Sequence, residues 1–198
     1  MPALTKRENK PYVQIFDGKF VSRVNENEPG AVSRVNKNDK VVWELHYDGW
    51  EGMLEDISCD EDGKFGKELV VQMEDVKIFA PWSGRHTKQL LNRLPNVDPT
   101  KPVALVPYKF TPDDEPNKII SGWNVEQDGK KVDMAFERDD VPPMEQIEVK
   151  GNLVWDDTKQ LKFLEEQSLE KWIALLHETR PNPLDEVTED DPEGKEPW

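Results

Sequence analysis

A mainly β fold with two helices is predicted by three observations. Short segments of alternating apolar and polar residues recur along the first 136 residues. Two pairs of these segments are joined by Asp-Gly, the strongest short hairpin signal. Two longer stretches, after Ser83 and after Asp157, repeat apolar residues at helical spacing.

Taken in order, Tyr12–Phe16 and Lys19–Val24 flank Asp17-Gly18 and predict a hairpin. A short echo follows, in which Ser22-Arg-Val-Asn recurs as Ser33-Arg-Val-Asn. Two copies do not make a solenoid; they predict two similar strand exits with Arg23 and Arg34 in equivalent places on a rim. Lys40–Tyr47 alternates as a half-buried strand, with Val41, Trp43, Leu45 and Tyr47 on one face and Val42, Glu44 and His46 on the other. Asp48-Gly49 predicts a turn, and Met53–Ser58, Leu69–Met73 and Val76–Ala80 the next strands. Ser83 is the expected N-cap of a helix ending at Leu94 before Pro95, buried through Thr87, Leu90, Leu91 and Leu94. That leaves Arg85, Lys88, Gln89 and Asn92 outside. Pro102–Phe110 is a strand, and Ile119–Gln127 with Lys131–Phe136 a hairpin about Asp128-Gly129. Gly151–Trp155 leads to a second helix, opened by Asp156-Asp157-Thr158 and running to about Glu178; its apolar face is Leu161, Leu164, Leu169, Trp172, Leu175 and Leu176.

With 198 residues, the chain is long enough for one domain with a real core, and seven Trp and seven Phe supply the buried area. The expected domain is residues 1–181, and 182–198 an acidic disordered tail with seven acids and one Lys. A single cysteine, Cys59, leaves no intramolecular disulfide framework and fits a reducing cytoplasm. The leading MPALTKRENK has no signal-peptide core, and no apolar run approaches a membrane span. An enzyme is not expected. His46, His86 and His177 lack metal-ligand spacing, Cys59 has no motif around it, and there is no glycine-rich phosphate loop. The Asp60-Glu61-Asp62-Gly63 run fails the EF-hand pattern, with Ser58 and Leu69 at required ligand positions, so neither metal nor cofactor is expected.

The net charge of −15 hides a strong segregation: residues 76–110 carry six basic residues and one acid. Aromatic residues are interleaved with those cations. Cations that meet phosphates beside rings that stack on bases suit single-stranded nucleic acid. The candidate cations are Arg23, Arg34, Lys37, Lys77, Arg85, Lys88, Arg93 and Lys109. The ring candidates are Phe79, Trp82 and Tyr108, with Trp123 a further one; Trp82 leads because Pro81-Trp82-Ser83-Gly84 reads as a turn. The competing reading is an acidic protein-interaction or virion-associated module, or a DNA mimic, that binds no nucleic acid.

The element order, with a helix between the third and fourth strands of residues 40–136, matches an oligonucleotide-binding Greek-key barrel with an added N-terminal hairpin and C-terminal helix. A β-sandwich has a similar strand count. In Leu94-Pro-Asn-Val-Asp-Pro-Thr-Lys-Pro-Val103, Val106-Pro-Tyr108, Gln127-Asp-Gly-Lys-Lys131, Val154-Trp-Asp-Asp-Thr158 and the tail, the chain resembles the phage single-stranded DNA-binding proteins that join such a barrel to an acidic, aromatic-tipped C-terminus. The tip Glu193-Gly-Lys-Glu-Pro-Trp198 also resembles the acidic Pro-Phe tip of bacterial single-stranded DNA-binding proteins. Pro197 matches directly, Trp198 only as an aromatic, and Lys195 departs from the pattern. The resemblance implies sequence-independent binding of single-stranded DNA in phage replication or recombination, in the host cytoplasm. It also implies partner recruitment through Asp190, Asp191, Glu193, Glu196, Pro197 and Trp198, and the tail's charge would let it compete with DNA.

Overall fold

The computed structural model describes residues 10–63 and 66–180; the tail with its six candidate residues lies outside them. The fold is mainly β, with two helical stretches. A seven-stranded sheet has the order β3 (Val32–Val35), β4 (Val41–Tyr47), β2 (Lys19–Val24), β1 (Tyr12–Phe16), β8 (Lys77–Pro81), β7 (Glu68–Met73), β6 (Leu54–Asp60). A four-stranded sheet has the order β11 (Lys130–Lys131), β10 (Ile120–Gln127), β9 (Val103–Phe110), β5 (Trp50–Gly52). Its last strand runs on through Met53 into β6, so one stretch of chain joins the two sheets. Asp48-Gly49, expected as a turn, is only a bend on that path. A separate hairpin pairs β12 (Glu145–Val149) with β13 (Asn152–Asp156).

Three two-residue turns have both residues at positive φ: Asp17-Gly18, Asp128-Gly129 and Lys150-Gly151. This is the type I′ geometry whose twist matches paired strands. The hairpin at 128–129 is shorter than its sequence suggests. Only Lys130 and Lys131 pair, because Ala135 N–H and the Phe136 backbone turn away to hydrogen-bond Asn92, which caps the C-terminus of α1 (Arg85–Leu91).

Helix α1 begins at Gly84, which caps it without a side-chain hydrogen bond, rather than at Ser83. Its continuation, Leu94–Asn96, is a separate 3₁₀ turn. Thr87, Leu90, Leu91 and Leu94 are buried, as their spacing predicts. The C-terminal stretch runs from α2 (Thr158–Leu164) through a π-helical turn (Glu165–Leu169) into α3 (Glu170–Thr179). Leu164 and Leu169 stand five residues apart and are both buried, a spacing that a π turn accommodates. Leu175, expected on the apolar face, is left exposed while Leu176 is buried.

The core gathers the inward residues of both sheets, including Val13, Phe20, Ile57, Ile78, Leu105 and Trp123, beneath α1 and the C-terminal stretch. Gln89 stitches α1 to this core: its Oε1 accepts from Trp123 N–H at 3.0 Å, and its Nε2 donates to Tyr108 Oη at 2.9 Å. Gly122 leaves room for the bridge, since a Cβ there would stand 2.2 Å from Gln89 Oε1. Gly122→Ala is expected to lower stability by about 1–3 kcal/mol through overpacking. Adding Gln89→Ala should recover part of that loss, which paired urea denaturation curves would read.

Candidate nucleic-acid interface

Opposite residues on paired strands share a face, which fixes the outer surface of the seven-stranded sheet. On β1, Val13 points into the core, leaving Tyr12, Gln14 and Phe16 outside. The parallel ladder sets Tyr12 opposite Lys77 and Gln14 opposite Phe79. Across it, the Tyr12 and Phe79 rings stack with centroids 4.0 Å apart and planes at 24°. Gln14 Nε2 donates to Tyr12 Oη at 3.1 Å. Partial burial raises the Tyr12 phenol above its usual pKa, so it stays a neutral hydroxyl. A stack this close admits no base between the rings, so each ring offers only its other face. Tyr12 and Phe16 are each 46% exposed.

On the same face, β2 and β3 lie on either side of β4, so the repeated Ser-Arg-Val-Asn forms two strands flanking one. Arg23 sits opposite Glu44. Arg34 grips that carboxylate with Nε at 2.6 Å and Nη2 at 2.7 Å. Glu44, expected on the polar side of its strand, is the most buried residue of β4, at 2% exposure. A buried carboxylate needs a cation and hydrogen bonds, and the bidentate guanidinium supplies both. The Arg34 guanidinium also lies 4.3 Å from the Phe16 ring centroid. Arg34 is thus held rigidly at the surface beside an exposed ring. Beyond β8 the face turns acidic, with Asp56 and Asp60 on β6 and, beneath the surface, buried Glu68 on β7.

A second cluster lies at the end of β9. Lys109 Nζ bonds Asp17 Oδ1 at 2.5 Å, which holds the Asp17 carboxyl below its usual pKa. Gly18 packs under this strand, where a Cβ would stand 2.8 Å from Lys109 N. Exposed Phe110 tilts against half-buried Tyr108 at 6.0 Å.

Three residues named as candidates, Trp82, Arg93 and Trp123, are in the interior. Trp82 is 7% exposed: its N–H donates to Lys67 O at 3.0 Å, and its ring lies under Lys67 Nζ at 4.4 Å. It lines a cleft in which Asp157, Glu165, Glu166 and Glu170 outnumber Lys67 and Lys162, a balance unfavourable to a polyanion. Arg93 is 4% exposed, donating to Val132 O at 3.0 Å and Gln89 O at 2.9 Å. Burial lowers its pKa, yet the guanidinium stays charged; enclosure and the two carbonyl partners are what keep it from a phosphate.

Most of the outer side of α1 is engaged as well. Lys88 pairs with Asp157 at 2.8 Å, Gln89 and Asn92 are engaged as described, and Leu164 and Met134 line a shallow cavity with this side, which leaves Arg85 exposed. Trp123 is fully buried in the core, and Trp43 is half-buried. Of the eight candidate cations, Arg23, Lys37, Lys77 and Arg85 are exposed without an ion pair among the described residues. Tyr12, Phe16 and Lys19 are the face residues that sequence reasoning missed. Strands β1 and β8 are both legible in the sequence; their parallel pairing, across sixty residues of chain, is not.

Among the described residues no His, Cys, Asp and Glu cluster could hold a metal ion, and no helix is long and apolar enough to cross a membrane. Partial burial pushes the Cys59 thiol up to about 11, so it stays protonated at neutral pH. No protein-family model, curated protein or solved structure matches the chain.

His86 gives a pH prediction. Its ring meets Trp123 edge-on at 5.6 Å, its Nε2 is buried without a hydrogen-bond partner, and burial lowers its pKa from 6.5. The unfolded chain therefore binds this proton more readily than the folded one. The stabilising contribution is complete above about pH 6.5 and is lost as the pH falls from there toward the folded pKa. Urea midpoints at pH 7.5 and 5.5 should show that loss, and His86→Phe should flatten it.

Proposed function

We propose that the protein binds single-stranded DNA without sequence preference, in phage replication or recombination in the host cytoplasm. The observation that carries this reading is the outer face of β2, β1 and β8. There the Tyr12–Phe79 stack and Phe16 stand among Arg23, Arg34 and Lys77. Exposed rings give bases a sequence-tolerant platform, and the cations meet phosphates. The acidic half of the sheet, on β7 and β6, confines a polyanion to the basic half.

The oligonucleotide-binding barrel reading is supported by chain order. β6, β7 and β8, then α1, then β9 and β10 follow the Greek-key sequence, and the first strand meets the second through β6 and the fourth through β5. In this reading Lys37, Arg85 and Lys109, with Tyr108 and Phe110, extend the path at the edges. The acidic tail competes with DNA for the basic face and recruits replication or recombination proteins when released.

Anisotropy titration of a labelled oligo-dT at several salt concentrations tests this. Tight low-salt binding that weakens log-linearly with salt is expected. Tyr12→Ala and Phe79→Ala should each lower affinity by about 5- to 150-fold, the equivalent of one stacked base. Arg23→Ala should reduce the salt slope by about 0.7. No binding at low salt would contradict the reading and favour an acidic protein-interaction module. Deleting residues 182–198 should tighten binding and change its salt dependence; an unchanged titration would remove the tail from the mechanism.

A further inference from the structure

The β12–β13 hairpin stands apart from the rest of the fold. Its base is tied down by Lys159 to Glu145 at 2.6 Å and by Lys88 to Asp157 at 2.8 Å. Along its length, among the described residues, β12 and β13 pair only with each other, and almost every residue is exposed. A lone two-stranded hairpin is marginal in water, and its open edges are templates for further pairing. Yet this one carries Leu153 at 70% and Trp155 at 63% exposure, with Val154 between them. Three successive large apolar residues on an open edge strand call for a cover.

Nucleic acid fits this surface poorly. Glu145, Glu148, Asp156 and Asp157 outnumber Lys150 on the hairpin and would repel phosphates. A second copy of the chain fits well, because β13 is self-complementary when paired antiparallel about Val154. In that register Leu153 faces Trp155 of the copy, Val154 faces Val154, and Asn152 faces Asp156. No like charges meet, and the tip Lys150 of each copy is brought toward Asp156 of the other, where opposite charges attract. Such an interface uses the same patch on both subunits, as two-fold symmetry requires.

We propose that the protein forms a two-fold dimer by antiparallel pairing of β13 with β13 of a second copy, giving a four-stranded sheet β12-β13-β13-β12. The dimer carries two copies of the outer β1–β8 face, but its formation is independent of what that face binds.

Sedimentation of the full-length chain without nucleic acid reads the mass. Twice the chain mass of 22.9 kDa is expected at micromolar concentration. Leu153→Glu with Trp155→Glu should give a monomer with an unchanged far-ultraviolet circular dichroism spectrum. A second variant does not depend on that substitution being tolerated. Val154→Cys, with Cys59→Ser, puts two thiols across the symmetry axis at Cα separations of about 4.5–5.5 Å, within disulfide range. Oxidation should yield a covalent dimer, whereas Val35→Cys on the exposed edge strand β3 should not. The proposal requires the dimer, its loss in the double variant if that variant folds, and the position-154 cross-link. A monomeric wild type, a dimer that persists in the folded double variant, or no cross-link at 154 overturns it. So does a wild-type monomer in which Trp155→Ala weakens oligo-dT binding, since the hairpin would then be a DNA contact.

Discussion

Parallel pairing of β1 with β8 is the contact on which the candidate interface depends. It joins residues 12–14 to residues 77–79 and so places Tyr12 against Phe79 and beside Lys77. Alone, β1 offers Tyr12 and Phe16 at its two ends and β8 offers Phe79, with no two rings in contact. Paired, they make a platform whose inner side is sealed by Val13 and Ile78, both fully buried. The β1–β2 hairpin then carries the face outward to β4 and β3, with Arg23 on β2 and Arg34 on β3 completing it. Without this pairing, the N-terminal hairpin would lose its place on the sheet and the rings would separate.

The distribution of ion pairs decides which cations remain for a ligand. Lys88 and Lys109 are tied to Asp157 and Asp17, and Arg93 is sealed beneath the 132–136 segment. Arg34 is different. Its grip on buried Glu44 is structural, since removing the guanidinium would leave a desolvated carboxylate uncompensated at a cost of about 3–5 kcal/mol. The same grip fixes the guanidinium beside Phe16, and a positioned cation needs little further ordering to meet a phosphate. Arg23 and Lys77, two surface cations without carboxylate partners among the described residues, flank the stacked rings.

Much of the secondary structure was legible in the sequence because it rests on local rules. The Asp17-Gly18 hairpin, the strands on either side of it, and the buried stripe of α1 follow from turn chemistry and periodicity. The misses are tertiary. Trp82 reads as a turn residue, and the turn is real, but the C-terminal stretch folds over it and α2 closes the cleft. Lys88, Gln89 and Asn92 occupy polar helix positions, yet segments distant in sequence supply Asp157, Tyr108 and Phe136 as their partners. Glu44 alternates as an outward residue, and only the return of β3 beside β4 brings Arg34 to bury it. The Lys150-Gly151 turn has I′ geometry without Asn or Asp at its first position, so β12 was not anticipated. For the interface, cation–ring interleaving pointed to residues 76–110, whereas half of the face comes from the N-terminal hairpin.

Photo-cross-linking of an oligo-dT carrying 5-iododeoxyuridine to the full-length protein, followed by peptide mapping, tests the central claim most directly. The outer face of β2, β1 and β8 predicts adducts in the peptides containing Tyr12, Phe16 and Phe79. Adducts confined to residues 85–93, or to the hairpin at Trp155, would place the DNA elsewhere and contradict the account.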